Sequence, residues 1–115
     1  MAGAEIFNSD EIRAVADVIE RKMIHRYGSH DSRGGIYRAE DFEEKAKRLT
    51  GSKCALALSS GTAALITALK GICIKPGDEV ITSPFTFIAT VEAIVACDAV
   101  PVFGELDETL SLDAA

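Results

Sequence analysis

The spacing of apolar positions changes partway along the chain. Asn8-Ser9-Asp10 offers a helix cap with Glu11 three residues after Asn8, and Ile12, Val15, Ile19 and Met23 then recur at helical spacing. This pattern predicts a helix from Ser9 to Ile24. The stretch "HRYGSHDSRGGIY" that follows is rich in Gly, Ser and charge and reads as a loop. A second helix is expected over Ala39 to Thr50, with Phe42, Ala46 and Leu49 on one face and Gly51 as its C-terminal cap. Glu43 and Glu44 precede Lys47 and Arg48 by four residues, the favourable order for helix ion pairs, and read as a solvated charged face.

From Lys53 onward the pattern differs. "CALAL" (Cys54 to Leu58) has no polar alternation, as expected for a strand covered on both faces. Ser60 to Leu69 reads as a helix closing near Gly71, "KPGDE" as a turn, and Val80 to Thr82 as a short strand. Phe87 to Cys97 reads as an apolar helix burying Ile88, Val91, Ile94 and Val95, and Val100 to Phe103 as a third strand. The tail "GELDETLSLDAA" is acidic and shows no closing element. The order strand, helix, strand, helix, strand predicts an α/β fold with a parallel sheet and right-handed crossovers.

Composition narrows the function classes. The chain has 115 residues, 48% apolar and 26% charged, and a net charge of -6, which argues against broad electrostatic binding to nucleic acid or an anionic membrane. A small anion held by backbone amides remains open. The amino end lacks both a basic start and an apolar run, so no secretory signal is expected. Cys54, Cys73 and Cys97 are odd in number, widely spaced and set in apolar runs, and His25 and His30 lie far from them. Reduced thiols packed as small hydrophobes in a cytoplasmic protein are expected, rather than a metal site.

The chemistry concentrates where "LALSSGTAAL" passes from strand to helix. In parallel sheets ligands bind at the carboxyl edge of the strands. A helix start there presents unpaired amides and a partial positive charge, which together suit a phosphate. Gly61 lets a ligand approach the backbone, and the hydroxyls of Ser60 and Thr62 can cap the helix or bond phosphate oxygens. The competing use is structural: Ser60 only caps the helix and Gly61 only allows tight packing. The stretch is neither a Walker loop nor a dinucleotide fingerprint. "SPFTFIAT" (Ser83 to Thr90) lies at a second such junction, where Phe85 and Phe87 either stack on a flat heterocycle or belong to the core.

"FEEKAKRLTGSKCALALSSGTAALITAL" followed by "KPGDEVITSPFTFIATVEAIVACDAVPVF" resembles the amino-terminal part of the DegT/DnrJ/EryC1/StrS aminotransferases. The resemblance runs from about Phe42 to Asp113. It implies the aspartate aminotransferase-like large domain of pyridoxal-phosphate (PLP) fold type I, incomplete here and preceded by N-terminal helices. Residues 1–38 would form the helix and Gly/Ser-rich loop, and 39–115 the first part of the PLP-binding α/β domain. PLP is the implied cofactor, with Ser60, Gly61 and Thr62 at its phosphate and Phe87 stacked on its pyridine ring. The loop from Tyr27 to Ile36 corresponds loosely to the family's substrate entrance. The implied substrates are a keto sugar, often nucleotide-linked, and an amino donor such as glutamate. A homodimer in the cytoplasm is implied.

The resemblance also implies an incomplete catalytic apparatus. None of Lys22, Lys45, Lys47, Lys53, Lys70 and Lys75 occupies the family's Schiff-base position, so no catalytic residue is assigned and the 115 residues alone are expected to be inactive. In the family fold the strand ending at Leu58 does not sit beside the next two. Unpaired sheet edges and open apolar surface are therefore expected here. A downstream lysine would mark an aminotransferase and a histidine a dehydratase relative. The alternatives are a non-catalytic remnant that binds phosphate or a partner subunit, and a small Rossmann-like phosphate-binding domain.

Overall fold

The computed structural model describes residues 4–26 and 30–113, so Tyr27, Gly28 and Ser29 of the expected loop lie outside the described residues. Contacts group the chain into two units, Met1–Ala57 and Leu58–Ala115.

In the first unit, helix α1 spans Ser9–Glu20. The Asn8 side-chain oxygen accepts from the Asp10 N–H at 2.9 Å, and the Asn8 N–H donates to the Glu11 carboxylate at 2.8 Å. The helix stops short of Ile24 because Lys22 takes a left-handed φ of 56°. Its N–H donates to Ile19 O at 2.9 Å and that of Met23 to Val18 O at 3.0 Å. This is a Schellman closure, usually announced by glycine. Phe7, Ile12, Val15 and Ile19 line an open groove along α1 and stay more than half exposed. Within the expected loop His30–Arg33 forms a short helix, α2, followed by left-handed Gly34 and Gly35. Arg33 is buried, its guanidinium donating to His25 O and lying 5.3 Å from the centroid of the Tyr37 ring.

Helix α3 spans Arg38–Thr50 and closes at Gly51, φ 69°. Its buried residue is not on the Phe42–Leu49 face. Phe42 and Leu49 are 62% and 89% exposed, whereas Glu43 is 7% exposed. The Arg26 guanidinium grips the Glu43 carboxylate at both oxygens, Nη1 on Oε1 and Nη2 on Oε2 at 2.8 Å. Oε1 also accepts the Ala57 N–H at 2.7 Å. A carboxylate can leave water only when its lone pairs are satisfied in this way, so the reading of Glu43 as a solvated charge is corrected. The Arg26 hydrogen bonds first, and the Ala57 amide second, hold its carboxyl down to about 2. Glu44 does stay at the surface, paired with Lys47 at 2.6 Å.

The second unit contains α4 (Gly61–Gly71), β1 (Glu79–Thr82), α5 (Ile88–Val95) and β2 (Val100–Phe103). The strands pair in parallel, from Glu79 opposite Val100 to Thr82 opposite Phe103, and α5 is the crossover between them. The turn before β1 is fixed by left-handed Gly77 and by the Asp78 carboxylate accepting the Lys75 N–H at 2.8 Å. Cys54–Leu58, expected as a strand, joins no ladder among the described residues. An apolar run becomes a strand only with a partner's amides and carbonyls, and here β1 and β2 pair with each other. Leu56 and Leu58 are accordingly exposed.

The core of this unit is Ile94, Cys97 and Ala99, packed by Ile66, Leu69, Ile74 and Val80. Ile88 and Val95, expected inside, are 57% and 56% exposed. Cys97 is buried as expected, but Cys54 and Cys73 are exposed, which corrects their reading as packed hydrophobes. Cys73 and Asp98 take left-handed φ values of 65° and 57°. They end α4 and the turn after α5 with the same paired hydrogen bonds as Lys22.

The tail does close. Leu106 bridges Leu112 in antiparallel fashion. The Asp107 carboxylate accepts from the Thr109 hydroxyl at 2.6 Å, the Thr109 N–H at 2.8 Å and the Ser111 N–H at 3.1 Å. These bonds, led by the Thr109 hydroxyl, hold the Asp107 carboxyl below its ordinary value. A Cβ at Gly104 would lie 2.8 Å from Leu112 Cδ2 and 3.6 Å from Ile81 Cγ2.

Candidate cofactor site

Ser60 sits at the N-cap of α4 with extended φ and ψ, and its hydroxyl oxygen accepts the Ala63 N–H at 3.1 Å. The first helical donor to the cap residue's carbonyl is Ala64, on Ser60 O at 3.0 Å. The amides of Gly61 and Thr62 precede that bond and belong to the unspent donors of a helix start. Ser60 therefore caps the helix, and among the described residues the two amides beside it have no acceptor. Gly61 is exposed, and an added Cβ there meets nothing within 4 Å. The open space over its backbone is the room that an oxyanion would need. Thr62 is half-buried.

The charge pattern of the helix starts is uneven. Helices α1 and α3 carry acids in their first turn, Asp10 and Glu11 in one and Glu40 and Asp41 in the other. Helices α4 and α5 carry none. Acids stabilise a helix start by meeting its partial positive charge. In α4 no acid of the first turn meets that charge beside the Gly61 and Thr62 amides, an arrangement suited to an anion.

Phe87 is the N-cap of α5 and is 78% exposed, and Phe85 is 66% exposed. Neither ring lies in the core. Both follow β1 at the carboxyl edge of the parallel pair, where Thr82 faces Phe103. The segment is held by short bonds: the Ser83 hydroxyl accepts the Phe85 N–H at 3.0 Å, and the Thr86 and Thr90 hydroxyls lie 2.9 Å apart. The Thr86–Thr90 pair is legible in sequence only as an i, i+4 spacing. The α4 and α5 helices pack on each other through Ile66, Leu69 and Ile94, with Cys97 just after α5 in the same cluster. The four residues singled out from sequence thus lie at the starts of two packed helices in one unit, as three consecutive residues at one start and the ring at the other. Among the described residues no helix is long and apolar enough to cross a membrane.

The parallel βαβ unit and the helix packed on it match part of the PLP fold type I aminotransferases. An aminotransferase from Psychrobacter cryohalolentis superimposes with a TM-score of 0.76 at 34% identity, over 89% of this chain and 24% of that one. The chain belongs to the DegT/DnrJ/EryC1/StrS aminotransferase family, which it matches over residues 6–115. It is 39% identical to the spore coat polysaccharide biosynthesis protein SpsC of Bacillus subtilis, over 94% of this chain and 26% of SpsC. It is 46% identical to a UDP-N-acetyl-3-dehydro-alpha-D-glucosamine 3-aminotransferase of Acidithiobacillus ferrooxidans, over 57% of this chain and 18% of that protein. The chain thus spans about a quarter of the length of SpsC.

Proposed function

We propose that this chain is the amino-terminal part of a PLP-dependent aminotransferase that moves an amino group from a donor such as glutamate onto a keto sugar, commonly nucleotide-linked, in polysaccharide or deoxyamino-sugar synthesis. The observation that carries the reading is the open backbone at Gly61, beside unspent amides and an unmet helix charge. Family membership supports PLP as the cofactor. PLP would contribute an electron sink for the bonds that break during amino transfer. The chain's own residues bind and orient. The Gly61 and Thr62 amides and the Thr62 hydroxyl take the phosphate, Ser60 fixes the start of the helix that presents them, and Phe87 supplies an exposed ring for the pyridine face. Residues 1–38 lead into the cofactor-binding domain, which begins at 39. None of Lys22, Lys45, Lys47, Lys53, Lys70 and Lys75 is assigned to hold the cofactor covalently, so these 115 residues by themselves are expected not to turn over. The working enzyme is a cytoplasmic homodimer.

The test is to express the longer parent reading frame and record its visible absorbance with added PLP, before and after borohydride. A new band that borohydride abolishes, with the cofactor left attached to a lysine downstream of Ala115, is the expected result. Absence of any spectral change in a folded product refutes the proposal. A histidine at the downstream position reassigns the enzyme as a dehydratase relative.

A further inference from the structure

Helix α5 begins against the capping preference. Helix starts favour Ser, Thr, Asp or Asn at the N-cap, whose side chains reach an amide of the first turn. Asn8 does this for α1 and Ser60 for α4, but the N-cap of α5 is Phe87, which makes no side-chain cap bond. Helix α3 also starts on an aromatic residue, Tyr37, and that ring is taken up by the Arg33 guanidinium, 5.3 Å from its centroid. A residue that breaks a local preference marks a position where the side chain serves something other than the local fold. Phe87 does not belong to the Ile94–Cys97–Ala99 cluster of its own unit.

The bond that stands in for the cap passes over Phe87. Thr86 precedes it, Thr90 lies in the first turn after it, and their hydroxyl oxygens are 2.9 Å apart. The Thr90 N–H also donates to Phe87 O at 3.0 Å. Thr90 therefore ties both the carbonyl of Phe87 and the residue before it. On the strand side, the Ser83 hydroxyl accepts the Phe85 N–H at 3.0 Å and closes the turn that leaves β1. These bonds all lie within Ser83 to Thr90, inside one unit, and need nothing from the rest of a longer polypeptide.

The chain changes from extended to helical at Phe87, φ -69° and ψ 143°, so a small rotation there swings the ring. A ring receives a flat heterocycle best when its plane is set beforehand, since otherwise the ordering is charged against binding. We infer that Thr86 and Thr90 are positioning residues for the cofactor: their hydroxyl pair sets the turn at Phe87, and the turn sets the plane in which the ring meets the pyridine. Neither hydroxyl need touch the cofactor. The inference rests on the reading of Phe87 as the stacking residue.

The experiment uses the full-length polypeptide, stripped of cofactor and titrated with PLP, with the visible circular dichroism of the bound cofactor as a second readout. Thr86→Val and Thr90→Val keep the side-chain shape and each remove one hydroxyl. Each should raise the dissociation constant of PLP by about 3- to 10-fold, the loss of one neutral hydrogen bond, and should alter the visible dichroism. Both break the same bond, so the double variant should bind no more weakly than either single one. Thr90→Ser keeps the hydroxyl and should restore the wild-type affinity. Phe87→Leu should itself weaken PLP binding, and Thr90→Val should add nothing in that background. Unchanged affinity and dichroism in both valine variants overturns the inference. So do additive losses in the double variant, or a Thr90→Val effect of equal size with and without the ring. If Phe87→Leu leaves affinity and dichroism as in wild type, the stacking reading itself falls, and the inference with it. Should Thr90→Val fail to fold, Thr86→Val, outside the helix, decides by the same criteria.

Discussion

Gly61→Ala separates the two uses of the α4 start, because they respond with opposite sign. An added Cβ meets no atom within 4 Å, and Gly61 is not among the glycines with positive φ. The alanine therefore costs no strain in the folded chain. It restricts the unfolded chain, which is worth about 0.4–1 kcal/mol in favour of folding. For a domain of 150–250 residues that is a rise in Tm of about 1–4 °C. The same methyl stands over the backbone where an oxyanion would approach. Losing one charge-assisted amide contact costs about 1.5–3 kcal/mol, or roughly 10- to 150-fold in affinity. Thermal melts without cofactor and calorimetric titration with PLP, on the full-length polypeptide, read the two effects independently. The expected pair is a slightly higher Tm with a clearly weaker cofactor complex. Unchanged affinity would show that no phosphate comes close to residue 61. A lower Tm would show that the glycine is needed for packing after all.

Three further outcomes follow from the geometry. Ile94→Ala removes the large side chain at the centre of the Ile94–Cys97–Ala99 cluster, where Ile94 is 2% exposed, and should cost about 2–5 kcal/mol in urea denaturation; a cost under about 1 kcal/mol would mean that the cluster is not the core. The Glu43 carboxyl lies at about 2 in the folded chain against 4.5 when free, so the unfolded chain binds the proton more readily. The stability it lends is complete above about 4.5 and is lost as pH falls through about 2. Melts along an acid titration should show this loss in wild type and a weaker one in Glu43→Gln. Lys22→Gly places the unstrained residue at a left-handed position. Relief of about 1–2 kcal/mol of strain against about 0.5–1 kcal/mol of added chain entropy leaves a small net gain, read as a higher denaturation midpoint; a fall would mean that Lys22 contributes contacts of its own.

What was legible in the sequence was what is encoded locally. The capping box at Asn8, the Ser60 cap, the Pro-Gly-Asp turn before β1 and the left-handed Gly51 each lie within a few residues of the feature they specify. The α/β order from α4 onward, and the start of α4, were therefore read correctly. The misses needed information from elsewhere in the chain or lacked the usual local signal. Glu43 could be recognised as buried only with Arg26, seventeen positions away. Cys54–Leu58 has the composition of a strand, but composition does not supply a partner. Helix α5 is apolar on most sides, so its period could not choose Ala93 and Ile94 over Ile88 and Val95 as the buried pair. The early end of α1 was hidden because a lysine occupies the place where a glycine would have signalled the stop. The exposed rings at Phe85 and Phe87 were one of two stated possibilities, since an aromatic residue in an apolar run reads the same inside or out.

Gly104 carries a consequence for how this segment tolerates change. The residue leaves β2 at the point where Leu112 leans in from the tail and Ile81 from β1. A hydrogen atom fits between them, and a methyl group fits once the tip of the partly exposed Leu112 side chain turns aside, Ile81 standing at ordinary contact distance. Enlarging residue 104 is thus absorbed by one flexible leucine rather than by the strand pair, and the tail gives way at its rim before the sheet feels the change.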